Sequence, residues 1–214
     1  MTRIALIHAT PLAMRPITEA FQRLWPDADI FNLLEDSLST DLARLGRLND
    51  AMSDRFRRLA RYAADCGADS ILFTCSAFGP CIEAAAEDLE PMPVLKPNEA
   101  MFAETLAIGG RIGLVATFAP SLPAMTAEFD DMAAHMGVDA NLISVCAKGA
   151  LDALSDGDTA RHDSRIAEAA ESLSSCTVIM LAQFSMASAA KIVESRVSCP
   201  VLTSPDSAVR RLKG

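Results

Sequence analysis

The sequence lacks the signals of several common functional classes. Aromatic residues make up only 5% of the chain, and its three histidines (His8, His135 and His162) are scattered singly. No CxxC pair occurs, so we expect no metal site. Neither GxGxxG nor GxxxxGK[ST] occurs, which leaves dinucleotide and P-loop binding without support. No apolar run approaches the roughly 18 residues of a membrane span, so we expect no membrane partner.

Positive charge is also in short supply. The 214 residues include 19 Lys and Arg against 28 Asp and Glu, giving a formal net charge of −9 and a pI near 4.8. An acidic surface repels phosphate backbones, so we expect no nucleic-acid partner. The apolar stretch at the N-terminus is too short for an export signal, and half of the residues are hydrophobic. We therefore expect a cytoplasmic protein whose six cysteines are free thiols.

Short apolar runs alternate with longer helical patterns along the chain. Strands are predicted at Ile4–Ile7, Asp29–Asn32, Ser70–Thr74 and Met92–Lys96. Helices are predicted at Pro16–Leu24, Leu42–Cys66 and Pro80–Leu89, with Gly67 ending the second of them. A chain that alternates in this way predicts an α/β fold with parallel sheets flanked by helices.

The second half of the sequence repeats the first. The segment at Arg3 (RIALIH) resembles that at Arg111 (RIGLVA), and the segment at Ser70 (SILFTCSAF) resembles that at Val178 (VIMLAQFSM), each at an offset of 108 positions. A Pro-Val-Leu segment follows Met92 and recurs after Cys199. The nearly constant offset predicts two pseudo-symmetric α/β lobes, residues 1–107 and 108–214. A C-terminal helix after Pro205 is expected to pack back on the first lobe.

Parallel sheets bind ligands at the carboxyl ends of their strands. In both lobes small polar residues follow the predicted strands, so we expect the active site to lie in a cleft between the lobes. Cys75 and Gln183 occupy equivalent positions in the two repeats. The sequence therefore predicts that these two residues face the same ligand.

The motifs TCSAFG at Thr74–Gly79, GLVATFAPS at Gly113–Ser121 and VIMLAQFSMA at Val178–Ala187 resemble the aspartate/glutamate racemase superfamily. That group includes aspartate, glutamate and hydantoin racemases, arylmalonate decarboxylase and maleate isomerase. The resemblance covers nearly the whole chain. It implies two lobes around a small carboxylic acid, no cofactor, and a homo-oligomer as the possible assembly. It also implies a thiol from each lobe, acting on opposite faces of the substrate carbon.

The chain departs from that pattern in its second lobe. Cys75 matches the first cysteine of the family, but Gln183 stands where the second is expected. Cys176 lies seven positions earlier, before the strand, and cannot replace it. A glutamine forms hydrogen bonds but carries no proton to carbon. The symmetric two-thiol mechanism is therefore not supported, and Cys75 is predicted to be the only catalytic thiol.

Cys75 lies between a buried strand and a predicted helix. The free N–H groups of such a turn favour negative charge, so we expect the turn to lower the pKa of the Cys75 thiol. The alternative is a small buried residue with no chemical role. His8 ends the first strand, and a hydrogen-bonded structural histidine is the favoured interpretation there.

A carboxylate can be held by backbone N–H groups and hydroxyls at strand-to-helix turns. Each hydroxyl in such a turn could equally be a helix cap. Phe78, Phe118 and Phe184 could give the site apolar surface that suits a partly apolar acid. The predicted substrate-binding residues are Thr10, Thr74, Ser76, Asn98, Thr117, Ser121, Phe184 and Ser185.

Several functions fit these residues. The first is a racemase- or isomerase-like enzyme that moves a proton at the carbon next to a carboxylate, with water or Ser185 supplying any second base. A decarboxylase or a cis-trans isomerase would need only one thiol. A protein that binds a small acid without reacting would keep the loops and lose the chemistry, as Gln183 suggests. A doubly wound protein that binds a sugar or nucleotide is a weaker alternative.

Overall fold

The apolar runs form parallel strands, and the segments with helical spacing form the helices around them. The computed structural model describes residues 1–214. The eight strands are β1 (Arg3–His8), β2 (Asp29–Leu34), β3 (Ser70–Phe73), β4 (Val94–Leu95), β5 (Arg111–Ala116), β6 (Asn141–Cys146), β7 (Val178–Leu181) and β8 (Val201–Thr203). The ten helices are α1 (Met14–Leu24), α2 (Ser37–Leu45), α3 (Asp50–Asp65), α4 (Gly79–Leu89), α5 (Glu99–Ile108), α6 (Leu122–Met136), α7 (Ala150–Ser155), α8 (Thr159–Glu171), α9 (Ala190–Glu194) and α10 (Ser204–Lys213).

The strands form two four-stranded parallel sheets of identical topology. Their orders are β2-β1-β3-β4 and β6-β5-β7-β8. The register repeats as well, since Ile4 pairs with Ser70 in the first sheet and Ile112 with Val178 in the second. Each residue of the second pair lies 108 positions after its equivalent in the first pair. The predicted α/β class and the internal duplication are thus confirmed. The central strands β1 and β3 of the first sheet correspond to β5 and β7 of the second.

The helix predicted over Leu42–Cys66 is wrong as a single element. The chain forms α2 and α3 instead, with a break between Leu45 and Asp50. Gly46 ends α2 in the left-handed conformation at φ 69°, where a glycine is tolerated without strain. The side chain of Asn49 then caps α3 by accepting from the N–H of Met52. Apolar spacing that continued across Gly46 concealed this break.

Apolar clusters pack against both sheets, one on the first sheet and two on the second. In the cluster on the first sheet, Phe56 of α3 packs against Phe73 at 5.1 Å and against Phe78 at 4.9 Å between ring centroids. In one of the two on the second sheet, Phe102 of α5 meets the ring of Phe129 edge-on at 5.4 Å. The Phe78 ring is fully buried although it follows Cys75 by only three residues. The turn after β3 is therefore anchored in the core.

Contacts divide the chain into two compact units, Met1–Glu99 with Ala208–Gly214, and Ala100–Ser207. The division falls eight residues before the predicted boundary at 107/108. Phe102 and Leu106 on α5 pack into the same core as Ile112 and Leu114 of β5, which places the helix in the second unit. The last seven residues belong to the first unit, where Lys213 Nζ donates to the Leu24 carbonyl at 3.0 Å.

No helix combines the length and the apolar character needed to cross a membrane. No group of three or more His, Cys, Asp or Glu side chains is arranged to hold a metal ion.

Candidate active site

Cys75 stands at the carboxyl end of β3, a central strand of the first sheet. It is the first residue after Thr74, and its backbone is still extended, at φ −122° and ψ 114°. A short 3-10 turn, Ser76–Phe78, follows, and α4 begins at Gly79. The side chain is partly buried. This is the strand-to-helix turn that the sequence predicted for the thiol.

The surroundings of Cys75 act on its pKa in opposite directions. Burial raises the pKa of the thiol above that of an ordinary cysteine, while a hydrogen bond from the backbone N–H of Ala77 lowers it. Burial raises the pKa because the thiolate loses more hydration than the thiol, and it is the larger of the two effects. The expectation that this turn lowers the pKa is therefore wrong in its net direction. At neutral pH the resting group is a protonated thiol.

Alkylation of Cys75 by iodoacetamide is expected to increase with pH across a range above about 8.5, the pKa of an ordinary thiol. The reagent attacks the thiolate, and burial raises the pKa at which the thiolate forms. The measurement is the rate of Cys75 modification by mass spectrometry at several pH values. A synthetic peptide of residues 70–78 supplies the unfolded control. If the rate reaches half of its maximum at a lower pH in the protein than in the peptide, the expectation is contradicted.

Gln183 occupies the equivalent position in the second unit, at the carboxyl end of β7. Its Oε1 accepts from the Thr117 N–H at 3.0 Å, with the Thr117 hydroxyl at 3.5 Å, and its Nε2 donates to Ser121 Oγ at 3.3 Å. Ser121 in turn donates to the Phe118 carbonyl at 2.7 Å. The amide thus ties β7 to the turn after β5. It holds that turn and offers no titratable group.

Some of the predicted binding residues already make side-chain hydrogen bonds within the chain, and others do not. Thr10 caps a 3-10 turn by accepting from the Leu12 N–H at 3.4 Å, the alternative role expected for such hydroxyls. Thr117 and Ser121 are brought together by Gln183. Ser76 and Ser185 are partly buried and make no side-chain hydrogen bond within the chain.

Two other predicted binding residues have little surface to offer. Asn98 follows β4 and is 1% exposed, and Phe184 is 3% exposed. Phe78 is fully buried, so of the three phenylalanines only Phe118 presents a ring, at 50% exposure. The apolar surface expected from these rings is therefore limited to Phe118. Its pseudo-equivalent in the first unit is Thr10.

Sequence reasoning expected a hydrogen-bonded His8 but did not identify the partners that hold the first unit's strand ends. His8 Nδ1 lies 2.8 Å from Thr74 Oγ1, and His8 Nε2 lies 2.9 Å from Asn32 Oδ1. The ring is fully buried, and both of its nitrogens lie within hydrogen-bonding distance of these side chains, as expected for a hydrogen-bonded histidine. Arg55 of α3 pairs with Glu35 and Asp41, which joins α3 to the segment after β2. No signal in the sequence links residues so far apart.

Comparison with known proteins places the chain. A family model described as Asp/Glu/hydantoin racemase matches residues 7–212. The aspartate racemase of Picrophilus torridus is similar in structure, with a TM-score of 0.73 over 99% of this chain and 94% of that one, at 11% identity. An allantoin racemase of Klebsiella pneumoniae reaches 0.70 over 100% and 86%, at 16% identity.

An arylmalonate decarboxylase reaches a TM-score of 0.67 over 99% of this chain and 92% of that one, at 21% identity. At such identities the structural likeness shows the fold alone. No curated protein sequence matches the chain. The family model, however, spans nearly the whole chain, including Cys75 and Gln183. The chain therefore belongs to the Asp/Glu/hydantoin racemase family.

Proposed function

We propose that the chain is a cofactor-independent, racemase- or isomerase-like enzyme that moves a proton at the carbon next to the carboxylate of a small acid. Cys75 carries that proton. The observation on which this rests is the asymmetry of the two strand ends. One holds a thiol at the carboxyl end of a central strand, and the equivalent one holds a glutamine whose amide is already hydrogen-bonded.

The protonated state of Cys75 favours chemistry in which the thiol first gives a proton. Burial raises its pKa, so the resting thiol is a proton donor, and racemisation then needs a water or Ser185 to remove the first proton. Loss of a group from the carbon next to a carboxylate leaves an electron pair that spreads into an enolate-like intermediate. Donors placed where the charge develops stabilise it. The Ser76 hydroxyl, which is unengaged in the chain, is the nearest candidate donor in sequence.

Decarboxylation with protonation is the second candidate, favoured by the same observation. The bond between the carbon and one carboxylate breaks, carbon dioxide leaves, and the electron pair stays on the carbon. Cys75 then gives its proton to that carbon, and the thiolate regains a proton from solvent. Gln183 cannot act as a second acid or base. A single thiol therefore delivers the proton to one face and yields one enantiomer.

Experiment has to separate decarboxylation from three further outcomes, two of which are forms of the racemase- or isomerase-like activity proposed above. Racemisation requires a second base, and Ser185 or a water is the candidate. Cis-trans isomerisation requires Cys75 to add to a double bond. An inert protein would bind the acid and leave it unchanged.

The test is turnover in deuterium oxide, followed by NMR and chiral chromatography, with amino acids, substituted malonic acids and maleate as substrates. We expect deuterium at the carbon next to a carboxylate. Carbon dioxide release with one deuterated enantiomer identifies a decarboxylase, exchange in both enantiomers a racemase, and fumarate an isomerase. Protection of Cys75 from alkylation by an acid that does not react would identify a binding protein and overturn the proposal.

The remaining expectations stay predictions. They are a small carboxylic acid as the ligand, a homo-oligomeric assembly and a cytoplasmic location.

A further inference from the structure

A hydrogen-bonded chain of three side chains crosses the first sheet and ends next to the thiol. It runs from Asn32 on β2 through His8 at the end of β1 to Thr74 after β3, with distances of 2.9 and 2.8 Å. The His8 ring is fully buried, and Thr74 is 5% exposed. Thr74 directly precedes Cys75. These three hydrogen-bonded side chains therefore join three neighbouring strands at the carboxyl edge of the sheet, where the Cys75 thiol lies.

The contacts determine where the protons lie. Asn32 Oδ1 can only accept, so His8 Nε2 carries a hydrogen and donates it. Burial lowers the pKa of His8 while the bond to Asn32 raises it, and the net lowering keeps the ring neutral near pH 7. Nδ1 of a neutral ring protonated at Nε2 is an acceptor. The Thr74 hydroxyl therefore donates its only proton to His8.

This assignment removes Thr74 from the donors available to a substrate. Its hydroxyl proton belongs to His8, with the Ile7 carbonyl as a longer second neighbour at 3.4 Å. Its backbone N–H donates to the same Ile7 carbonyl at 3.0 Å. Thr74 is thus held by both its main chain and its side chain. Cys75, the next residue, is therefore attached to a backbone position that hydrogen bonds hold in place.

The second unit shows that the fold does not need this row of hydrogen-bonded side chains. At the same offset of 108 positions, His8 and Thr74 correspond to Ala116 and Ala182. These two alanines are buried at the ends of β5 and β7, where the register is the same. Burying an imidazole and a hydroxyl costs free energy that two alanines avoid. Only the unit with the thiol carries them.

We propose that His8 is a positioning residue for Cys75, acting through the Thr74 hydroxyl as a neutral ring protonated at Nε2. The inference rests on the proposed role of Cys75. It predicts that His8 and Thr74 act as one unit, and that each affects the chemical step more than substrate binding. Substitution by alanine reproduces the second unit's arrangement and so leaves a residue that this fold accommodates.

The first measurement is the ¹⁵N NMR spectrum of the His8 ring in the whole protein. We expect the pattern of a neutral ring with hydrogen on Nε2. A ring protonated at Nδ1, or a doubly protonated ring at pH 7, overturns the proposal. His8→Ala identifies the resonances of His8 among the three histidines, and Thr74→Ala is expected to shift its Nδ1 signal. This measurement needs no substrate.

The second measurement compares turnover of His8→Ala, Thr74→Ala and the double variant. We expect each to lower kcat about tenfold, the worth of one hydrogen bond, with KM changed less than about threefold. The double variant should be no worse than either single one, because both remove the same contact. His8→Gln, which keeps one acceptor and one donor, should recover most of the rate.

A merely structural His8 would give a different result. The melting temperature would fall in both single variants, while kcat per folded molecule would stay at the wild-type value. That pattern would overturn the proposal, and so would a kcat of His8→Gln that is as low as that of His8→Ala. If the wild-type protein turns over no acid, the proposed function fails. The NMR result and the alkylation rate of Cys75 relative to Cys66 then still decide whether His8 positions the thiol.

Discussion

Replacing Cys75 with serine is expected to lower kcat/KM by about 10²–10⁴-fold, the usual contribution of one acid-base group. Serine has nearly the shape of cysteine, but its hydroxyl is a much weaker acid. It therefore cannot give a proton to the enolate-like carbon or regain one at a useful rate. Deuterium incorporation or carbon dioxide release measures the loss, with the melting temperature recorded on the same samples.

The matched control for this substitution is Cys66→Ser. Cys66 is a partly buried free thiol in the same unit, at the end of α3 and away from the carboxyl ends of the strands. We expect it to keep wild-type turnover. A Cys75→Ser protein that also keeps wild-type turnover would remove the thiol from the mechanism. Equal losses in both variants would point to general damage and not to lost chemistry.

Replacing Phe78 with alanine is expected to lower the free energy of unfolding by about 3–5 kcal/mol. The ring is fully buried and packs against Phe56 at 4.9 Å. Its removal leaves a cavity beneath the turn that carries Cys75. We expect the turn to loosen, and Cys75 to be alkylated several-fold faster because burial no longer opposes the thiolate. Chemical denaturation and timed alkylation measure the two effects.

Phe129→Ala provides the comparison for that result. Phe129 is also fully buried in a phenylalanine pair, but in the second unit. A loss of stability of the same size is expected, with the alkylation of Cys75 unchanged under conditions where the protein stays folded. If both variants alter Cys75 to the same degree, the Phe78 anchor has no particular effect on the thiol.

The duplication could be predicted because short runs of similar apolar pattern recur at one offset. Arg3 and Arg111 open the two central strands, and Ser70 and Val178 open their neighbours, at one offset. Buried parallel strands need continuous apolar runs, and these survive in both halves. The break at Gly46 was not predicted, because the apolar spacing of one helix happens to continue into the next. A left-handed glycine is visible only in the backbone.

The positions of the strand ends were predictable from the sequence, whereas the energetics of the groups placed there were not. Strand ends follow from strand positions, so Cys75 and Gln183 could be located from the sequence. The direction of the Cys75 pKa shift could not, because helix N–H groups and burial oppose each other and only the folded chain shows that burial is larger. Thr74 likewise looked like a donor to substrate, and only the folded chain shows its hydroxyl 2.8 Å from His8 Nδ1.

The sequence by itself determined the α/β class, the two repeated units and the pairing of Cys75 with Gln183 at equivalent positions, since these depend on residue type and spacing. Only the tertiary structure decided what each strand end does. Gln183 is committed to Thr117 and Ser121, and His8 reaches Thr74 across 66 positions. Hydrogen bonds and burial depend on distances between residues far apart in the chain, and those distances exist only after folding.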